Sequence, residues 1–406
     1  MGRWKGVVPV VGAVALLAAG SASASSTRST ALGRSLTRAL TLPHLVRRDE
    51  GALVVDLSSG RTVYAYGAGR ALVPASNEKL AVTYTALMQL GRGYRFRTDV
   101  LTSGHRHGSV LAGNLYLQGH GDPTLHTIAL VKLARKLRAE GIRRVTGRVL
   151  ADESWFDRRR TAPGWKASYE LNESPPLSAL VVNRGNFRGT VSTDPAGAAA
   201  AIFTRVLQRH GIAVGHGSGW GTAPATARRL ALVSSRPLAL VLRFMDHWSD
   251  NFTAEMLLKT LGAQVAGQGT TAAGARVVTR TLARAHVPLT GVRIVDGSGL
   301  SALDRLTPRA VGAILATAWR TPRLRYPFWR ALAVAGRSGT LRNRMVGTVA
   351  SGVVHGKTGT TDVASALSGY VGDRYAFSIL ENGHPIHLTS AHDAQDRFAR
   401  ALSTRR

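Results

Sequence analysis

The chain has 406 residues, 44% of them hydrophobic, no cysteine and a formal net charge of +30. That length and apolar content support two or three packed domains and exclude a disordered tail, while the missing thiols exclude disulfides, thiolate zinc sites and cysteine nucleophiles. The charge lies on scattered arginines without interleaved aromatic residues, which excludes nucleic-acid recognition and leaves anionic envelope polymers or lipid headgroups, or a plain solvated surface, as its meaning.

At the start, Arg3 and Lys5 precede an apolar run from Val7 to Ala19, and Ala22-Ser23-Ala24 follows the small-x-small rule of signal cleavage. Export with cleavage near Ala24 is expected. An uncleaved anchor is the alternative, with a run short of the ~20 residues a span requires. Residues 25–44 are rich in Ser, Thr and Arg and read as a linker. From Gly51, two β-rich runs flank Ser58-Ser59-Gly60, a hairpin signal. A helix follows, with Leu80, Tyr84, Leu87 and Met88 on one face and a stop at Gly91.

The texture changes between about Arg95 and Arg228. Short β-like runs alternate with a helical pattern from Ile128 to Glu140 and another in "AAAAIFTRVLQRHGI", and the Gly/Ala/Thr/Pro stretch from Gly215 to Ala227 reads as a linker. Helical patterns then return in "NFTAEMLLKTLGAQVAG", "AGARVVTRTLARAHV" and "TPRAVGAILATAW", and strand signals close the chain in "GVVHGKTGTT", "ASALSGYVG" and "RYAFSILENG". Strands at both ends with helices between them imply one α/β domain whose sheet joins the two ends of the chain. The middle segment is then an insertion.

Three short matches carry chemistry. Ser76-x-x-Lys79, the only Ser-x-x-Lys in the chain, heads the first helix. A serine hydroxyl becomes a nucleophile only when a base takes its proton, and a lysine serves as that base once burial, or a second cation, lowers its pKa. Alone, the match fits a helix cap followed by a surface lysine equally well. Ser249-Asp250-Asn251 lies at a helix entry and Lys357-Thr358-Gly359 in a strand-like run. In that order and on those elements the three form the set of penicillin-recognising serine enzymes. Ser76 is then the nucleophile and Lys79 its base. Ser249 relays a proton to the leaving amine, Asn251 holds the substrate amide and Lys79, and Lys357 with Thr358 receives a terminal carboxylate. Gly359 leaves room for substrate backbone, and the N–H groups of Ser76 and Thr360 form an oxyanion hole.

With these motifs, and with "GNLYLQGHGDPTL", "PLSALVVNRGN", "DGSGLS", "AGRSGTLRNRM" and "LSGYV", the chain resembles the class C low-molecular-mass penicillin-binding proteins, the D-alanyl-D-alanine carboxypeptidases and endopeptidases. The resemblance implies a transpeptidase-like (serine beta-lactamase-like) α/β domain, with an antiparallel sheet flanked by helices, interrupted by an accessory α+β domain. Its expected limits are 45–94 and 228–406 for the catalytic domain and 95–227 for the insertion. It implies D-Ala-D-Ala ends of peptidoglycan stem peptides as substrate, covalent inhibition by beta-lactams, and no cofactor or metal. Trp155 and Asp157 in "ESWFD" resemble a family loop near the active site that touches the stem peptide; a purely structural loop is the other reading. Two departures stand out: a gap of 173 positions between Ser76 and Ser249, implying a reduced insertion, and Ala302 where the family's "DGSGLS" continues with arginine, Arg305 coming three residues later. A beta-lactamase or esterase on the same machinery, and an inactive wall-binding homologue, are the competing readings.

Overall fold

The computed structural model describes residues 31–404, so the expected signal segment lies outside the described residues. A six-stranded antiparallel sheet forms the centre of the larger domain, in the order 333–334, 354–360, 364–371, 375–382, 50–56, 62–66. The chain's first strand, Glu50–Asp56, lies in full register beside Tyr375–Asn382, Leu53 opposite Ser378. The hairpin at residues 58–60 closes as expected because the Asp56 carboxylate accepts the Ser58 and Ser59 N–H groups at 3.0 and 2.9 Å and Gly60 takes φ +71°.

Alternation along each strand sorts the core into two layers. Leu53, Val55, Ala366, Tyr370 and Leu380 face a helical layer containing Glu78–Gln89, Asn251–Ala266, Thr271–Arg284 and Pro308–Arg320, while Ala52, Val54, Leu367, Phe377 and Ile379 face the other side. Two helices of the first layer are buried almost all round, Leu80–Leu87 and Phe252–Gly262. That is why their apolar residues show little sidedness in the sequence. Asp250 caps the second of them, accepting the Thr253 N–H at 2.8 Å, and Gly267 ends it at φ +67°.

The expected linker at 25–44 is in part a helix, Ala31–Leu40. Its Leu36, Ala39 and Leu40 pack with Phe398, Ala399 and Leu402 of the C-terminal helix Leu388–Ser403 on the far face of the sheet. Only three buried apolar side chains make this contact, too few to show as periodicity amid Ser, Thr and Arg.

The inserted unit has its own core, built from Leu117, Leu130, Leu133, Phe203 and Leu207. A mixed five-stranded sheet (218–220, 149–152, 115–119, 97–102, 228–234) and a small four-stranded one carry the helices Thr127–Ala139 and Pro195–Arg209. Two boundaries differ from expectation. Ser218–Trp220, inside the expected linker, pairs in parallel with Val149–Ala151. Arg228–Ser234, expected to open the second half of the catalytic domain, pairs with Arg97–Thr102 and closes the insertion's sheet. Both are edge strands: Ser218–Trp220 is only three residues long and Arg228–Ser234 opens on two exposed arginines, so neither shows a clear alternation. Among the described residues no helix is long and apolar enough to cross a membrane.

Candidate active site

Ser76 lies on the 3-10 turn Ala75–Asn77 that leads into the Glu78–Gln89 helix. The turn is forced: Ala75, wholly buried, holds φ +45°, a conformation that costs a non-glycine residue about 1–3 kcal/mol. What over-determines it is the neighbouring strand Val354–Thr360. Asn77 Nδ2 donates to the Lys357 carbonyl at 3.1 Å, and a Cβ built on Gly359 would stand 3.0 Å from both the Pro74 carbonyl oxygen and Ser76 N. Gly359 thus serves close packing of the strand on the nucleophile turn. Room for substrate backbone along the strand, expected from the sequence, is a separate role.

Lys79 is fully buried, and its Nζ lies 2.8 Å from Ser76 Oγ, 2.8 Å from Asn251 Oδ1 and 2.6 Å from the Ser298 carbonyl. The two latter atoms can only accept. A neutral amine satisfies both with its two N–H bonds, which leaves its lone pair directed at the serine hydroxyl. Burial lowers the Lys79 pKa to about 8, against the opposing pull of the Asp296, Glu255, Asp246 and Asp250 carboxyls. The second cation matters at the other partner: Lys357 is pushed well below the usual ammonium range by burial first and by Lys79 second.

Behind Lys79 stands a shell of buried carboxyl groups. Glu255 accepts the Gly297 and Ser298 N–H groups at 2.8 and 2.7 Å, and burial with the nearby Asp296 raises it to about 8. Glu78 is fully buried with no hydrogen-bond partner for either oxygen, and burial raises it well above the carboxylate range, as it does Asp304. Asp296 gathers Trp165 Nε1 at 2.8 Å, Ser298 Oγ at 3.0 Å, Gly299 N at 2.6 Å and Ser301 N at 2.9 Å. This cage fixes the 296–301 turn, and hence the carbonyl that holds Lys79.

Ser76, Ser249, Asn251, Thr358 and Thr360 line one cleft of about 330 Å³. Ser249 sits between two helices at φ +60°, ending Leu238–Trp248 just before Asp250 caps the next. Asn251 turns its Nδ2 to the Glu173 carbonyl and carboxylate at 3.2 and 3.3 Å. Thr358 Oγ1 donates to Thr340 Oγ1 at 2.8 Å. Lys357 is buried beneath the strand, its Nζ donating to the Thr358 carbonyl at 2.8 Å, and does not line the cleft.

The cleft also includes Glu173, Leu300, Thr340, Arg344, Thr361 and His392, which carried no role in the sequence reading. Thr340 and Arg344 fall within "SGTLRNR" and Leu300 within "DGSGLS", two of the family-like stretches, while Glu173, Thr361 and His392 carried no such signal. Arg344 is anchored on Asp396 at 2.6 Å, the Gln395 side chain at 3.1 Å and the His392 carbonyl at 3.2 Å. Trp155 and Asp157 lie outside the cleft lining. Asp157 pairs with the buried Lys259 of the Asn251–Ala266 helix, and Trp155, stacked on Phe156 and edge-on to His120 within the insertion, packs against the apolar cluster that includes Phe252 and Met256 of that helix, so both fasten the insertion to it. The insertion's segment that does reach the cleft is 165–173, through the Trp165–Asp296, Lys166–Asp362 and Asn251–Glu173 contacts. His355, beside the third motif, stacks on Trp329 at 3.9 Å, and burial lowers it to about 4.

A buried lysine aimed at a serine on a strained turn, flanked by an amide and by the edge of an antiparallel sheet, defines an acyl-transfer enzyme of the serine–lysine type. A model of the D-Ala-D-Ala carboxypeptidase 3 (S13) family matches residues 32–198 and 188–404. The D-alanyl-D-alanine carboxypeptidase of Actinomadura sp. (strain R39) is 33% identical over 450 residues, covering 89% of this chain and 83% of that protein. Carboxypeptidase DacB of Mycolicibacterium smegmatis is 31% identical over 360 residues, 81% of this chain and 75% of its own. The crystal structure of penicillin binding protein 4 (dacB) from Haemophilus influenzae superposes with a TM-score of 0.81 at 20% identity, over 93% of this chain and 99% of that one. The chain belongs to the D-Ala-D-Ala carboxypeptidase 3 (S13) family, and it is a serine-type carboxypeptidase on the penicillin-binding transpeptidase-like fold.

Proposed function

We propose that the enzyme cleaves the D-Ala-D-Ala end of peptidoglycan stem peptides, or a D-alanyl cross-link, through an acyl-enzyme on Ser76. The observation that carries this reading is the contact of Lys79 Nζ with Ser76 Oγ at 2.8 Å while two fixed acceptors claim the amine's other directions. Lys79 takes the hydroxyl proton as Oγ attacks the penultimate D-alanyl carbonyl. The N–H groups of Ser76 and Thr360 hold the oxyanion, where one donor is worth ~3 kcal/mol. Ser249 passes the proton to the leaving amine, and water releases the acyl group. Thr358 and Thr340 offer hydroxyls to the substrate's terminal carboxylate, with Lys357 contributing charge from below the strand. A beta-lactam presents the same amide and carboxylate and is retained because its leaving amine stays tethered.

The family model's two matches meet at 188–198, and the alignment with the Actinomadura enzyme is longer than this whole chain. Both support a reduced insertion at the point where "FRGTVSTDPAG" runs into the Pro195–Arg209 helix. Ala302 and the outward-turned Arg305, whose guanidinium bonds the Ala302 and Asp304 carbonyls at 2.8 and 2.7 Å, leave the substrate side chain without an arginine from this turn. The N-terminal pattern and substrate fit export to the outer side of the cytoplasmic membrane, with the +30 charge favouring anionic envelope material.

Intact-mass spectrometry of the protein incubated with penicillin tests the assignment. One adduct per chain is expected, located on Ser76 after digestion and absent in Ser76→Ala; an unmodified wild-type chain, or an adduct on another serine, would falsify it. Defined pentapeptides and cross-linked muropeptides then separate carboxypeptidase from endopeptidase action.

A further inference from the structure

Large apolar side chains left in solvent are mostly scattered singly over the described surface; apart from the pair Val346 and Val349 in a loop, one helix gathers them. Leu238–Trp248 exposes Leu240 (44%), Phe244 (43%) and Trp248 (56%), while every other helix exposes at most one such residue. The spacing i, i+4, i+8 puts the three in a row along one side. Opposite them Leu238, Val241, Leu242 and Met245 are sunk in the core, so the helix is rigidly held, while among the described residues the outer row stays outside every core cluster, Trp248 meeting its neighbour His247 edge-on at 5.5 Å.

Charge says what the row meets. Arg236 and Arg243 are exposed on the same segment, and its one acid, Asp246, is wholly buried against Thr83. Leu240 and Phe244 also wall a groove of about 220 Å³ whose other side bears Arg184 and His126. The helix packed alongside, Pro322–Ala331, adds three arginines and an exposed Tyr326 and contains no acid. An aromatic and leucine row bordered by arginines and free of exposed carboxylates matches the boundary between anionic headgroups and acyl chains. A soluble polyanion would use the arginines but gain nothing from three exposed apolar side chains.

We propose that the outer face of Leu238–Trp248 docks on an anionic lipid bilayer, with Leu240, Phe244 and Trp248 entering the interface and Arg236 and Arg243 contacting headgroups. Trp248 is followed directly by Ser249 in the cleft wall. Docking therefore holds the catalytic cleft at the membrane side of its polymeric substrate. The contact needs no acylation chemistry and stands or falls apart from the assignment of Ser76.

The absence of cysteine makes the test direct. Leu240→Cys in the full chain, labelled with an environment-sensitive dye, is compared with the same label at Arg400→Cys on the helix across the sheet. With vesicles containing phosphatidylglycerol, the label at 240 is expected to shift to the blue while that at 400 stays at its buffer value. Vesicles of phosphatidylcholine alone should leave both unchanged. Adding Arg236→Gln and Arg243→Gln should weaken the response at 240 by about 25-fold in lipid concentration, from roughly fivefold per basic residue at such a surface. Penicillin acylation at an unaltered rate confirms that each variant is folded. No shift at 240, equal shifts at 240 and 400, or a shift produced by soluble polyglutamate and not by vesicles would each overturn the proposal. Comparing positions, rather than total binding, removes any contribution of the apolar run Val7–Ala19.

Discussion

Lys79 shows how a single side chain is tuned by its surroundings. With its pKa lowered to about 8, about one molecule in ten carries the neutral amine at pH 7. The working form is the deprotonated one, so the rate constant for acylation by penicillin should rise about tenfold per pH unit below 8 and level off above it. Stopped-flow measurement between pH 6 and 10 checks this; a rate that is flat from pH 6 would mean that another group is the base. Because Glu255 titrates in the same range, the observed midpoint belongs to the cluster of groups and not to the lysine alone. Much at this scale was legible in the sequence, since the spacing of three already places Ser76 beside Lys79. The Ser298 carbonyl and the carboxyl shell were not legible, because a backbone acceptor 219 positions away leaves no mark in residue identity.

At the scale of elements, the nucleophile turn and the Val354–Thr360 strand act as one piece. Replacing Gly359 by alanine places a methyl group 3.0 Å from backbone atoms on each side of Ala75. Backbone cannot rotate aside as a side chain can, so the turn must shift. Overpacking of this kind costs about 1–3 kcal/mol, and a displacement of Oγ relative to Lys79 lowers the rate further. Gly359→Ala is therefore expected to cut acylation by at least about tenfold while lowering Tm by only a few degrees. Retention of full activity would show that the contact is dispensable. Most elements were readable: long apolar helix-forming runs locate the central helices, short apolar runs rich in β-formers locate the last three strands, and hairpin chemistry locates the first pair. Ala31–Leu40 and Arg228–Ser234 were not, because each is stabilised by a partner distant in sequence and carries too little apolar pattern of its own.

At the scale of the whole molecule, the catalytic domain is closed by pairing its first strand with its last. Glu50 and Glu381 lie directly opposite each other in that pairing, and both are buried. Burial raises Glu50 to about 7 and Glu381 well above the carboxylate range, Glu381 Oε2 accepting from Gln395 Nε2 at 2.7 Å. A folded-state pKa above the unfolded one means that the native state holds protons the unfolded chain has lost. The resulting stability is complete below about pH 4.5 and fades as pH rises through 7. Relative to wild type, Glu381→Gln should gain in Tm progressively from pH 5 to pH 8, read by calorimetry at matched ionic strength. Parallel Tm curves for the two proteins would contradict this closure by paired acids.

The sequence by itself determined the reaction chemistry and the domain order, because nucleophile, base and motif spacing are local properties and an interrupted domain shows as a change of texture. Only the tertiary structure decided that Gly359 serves packing, that Trp155 and Asp157 fasten a joint away from the cleft, and that Glu173, Thr340 and Arg344 complete its wall. Those assignments depend on which distant residues share a surface, and burial and approach distance are set by folding, not by any residue's neighbours along the chain.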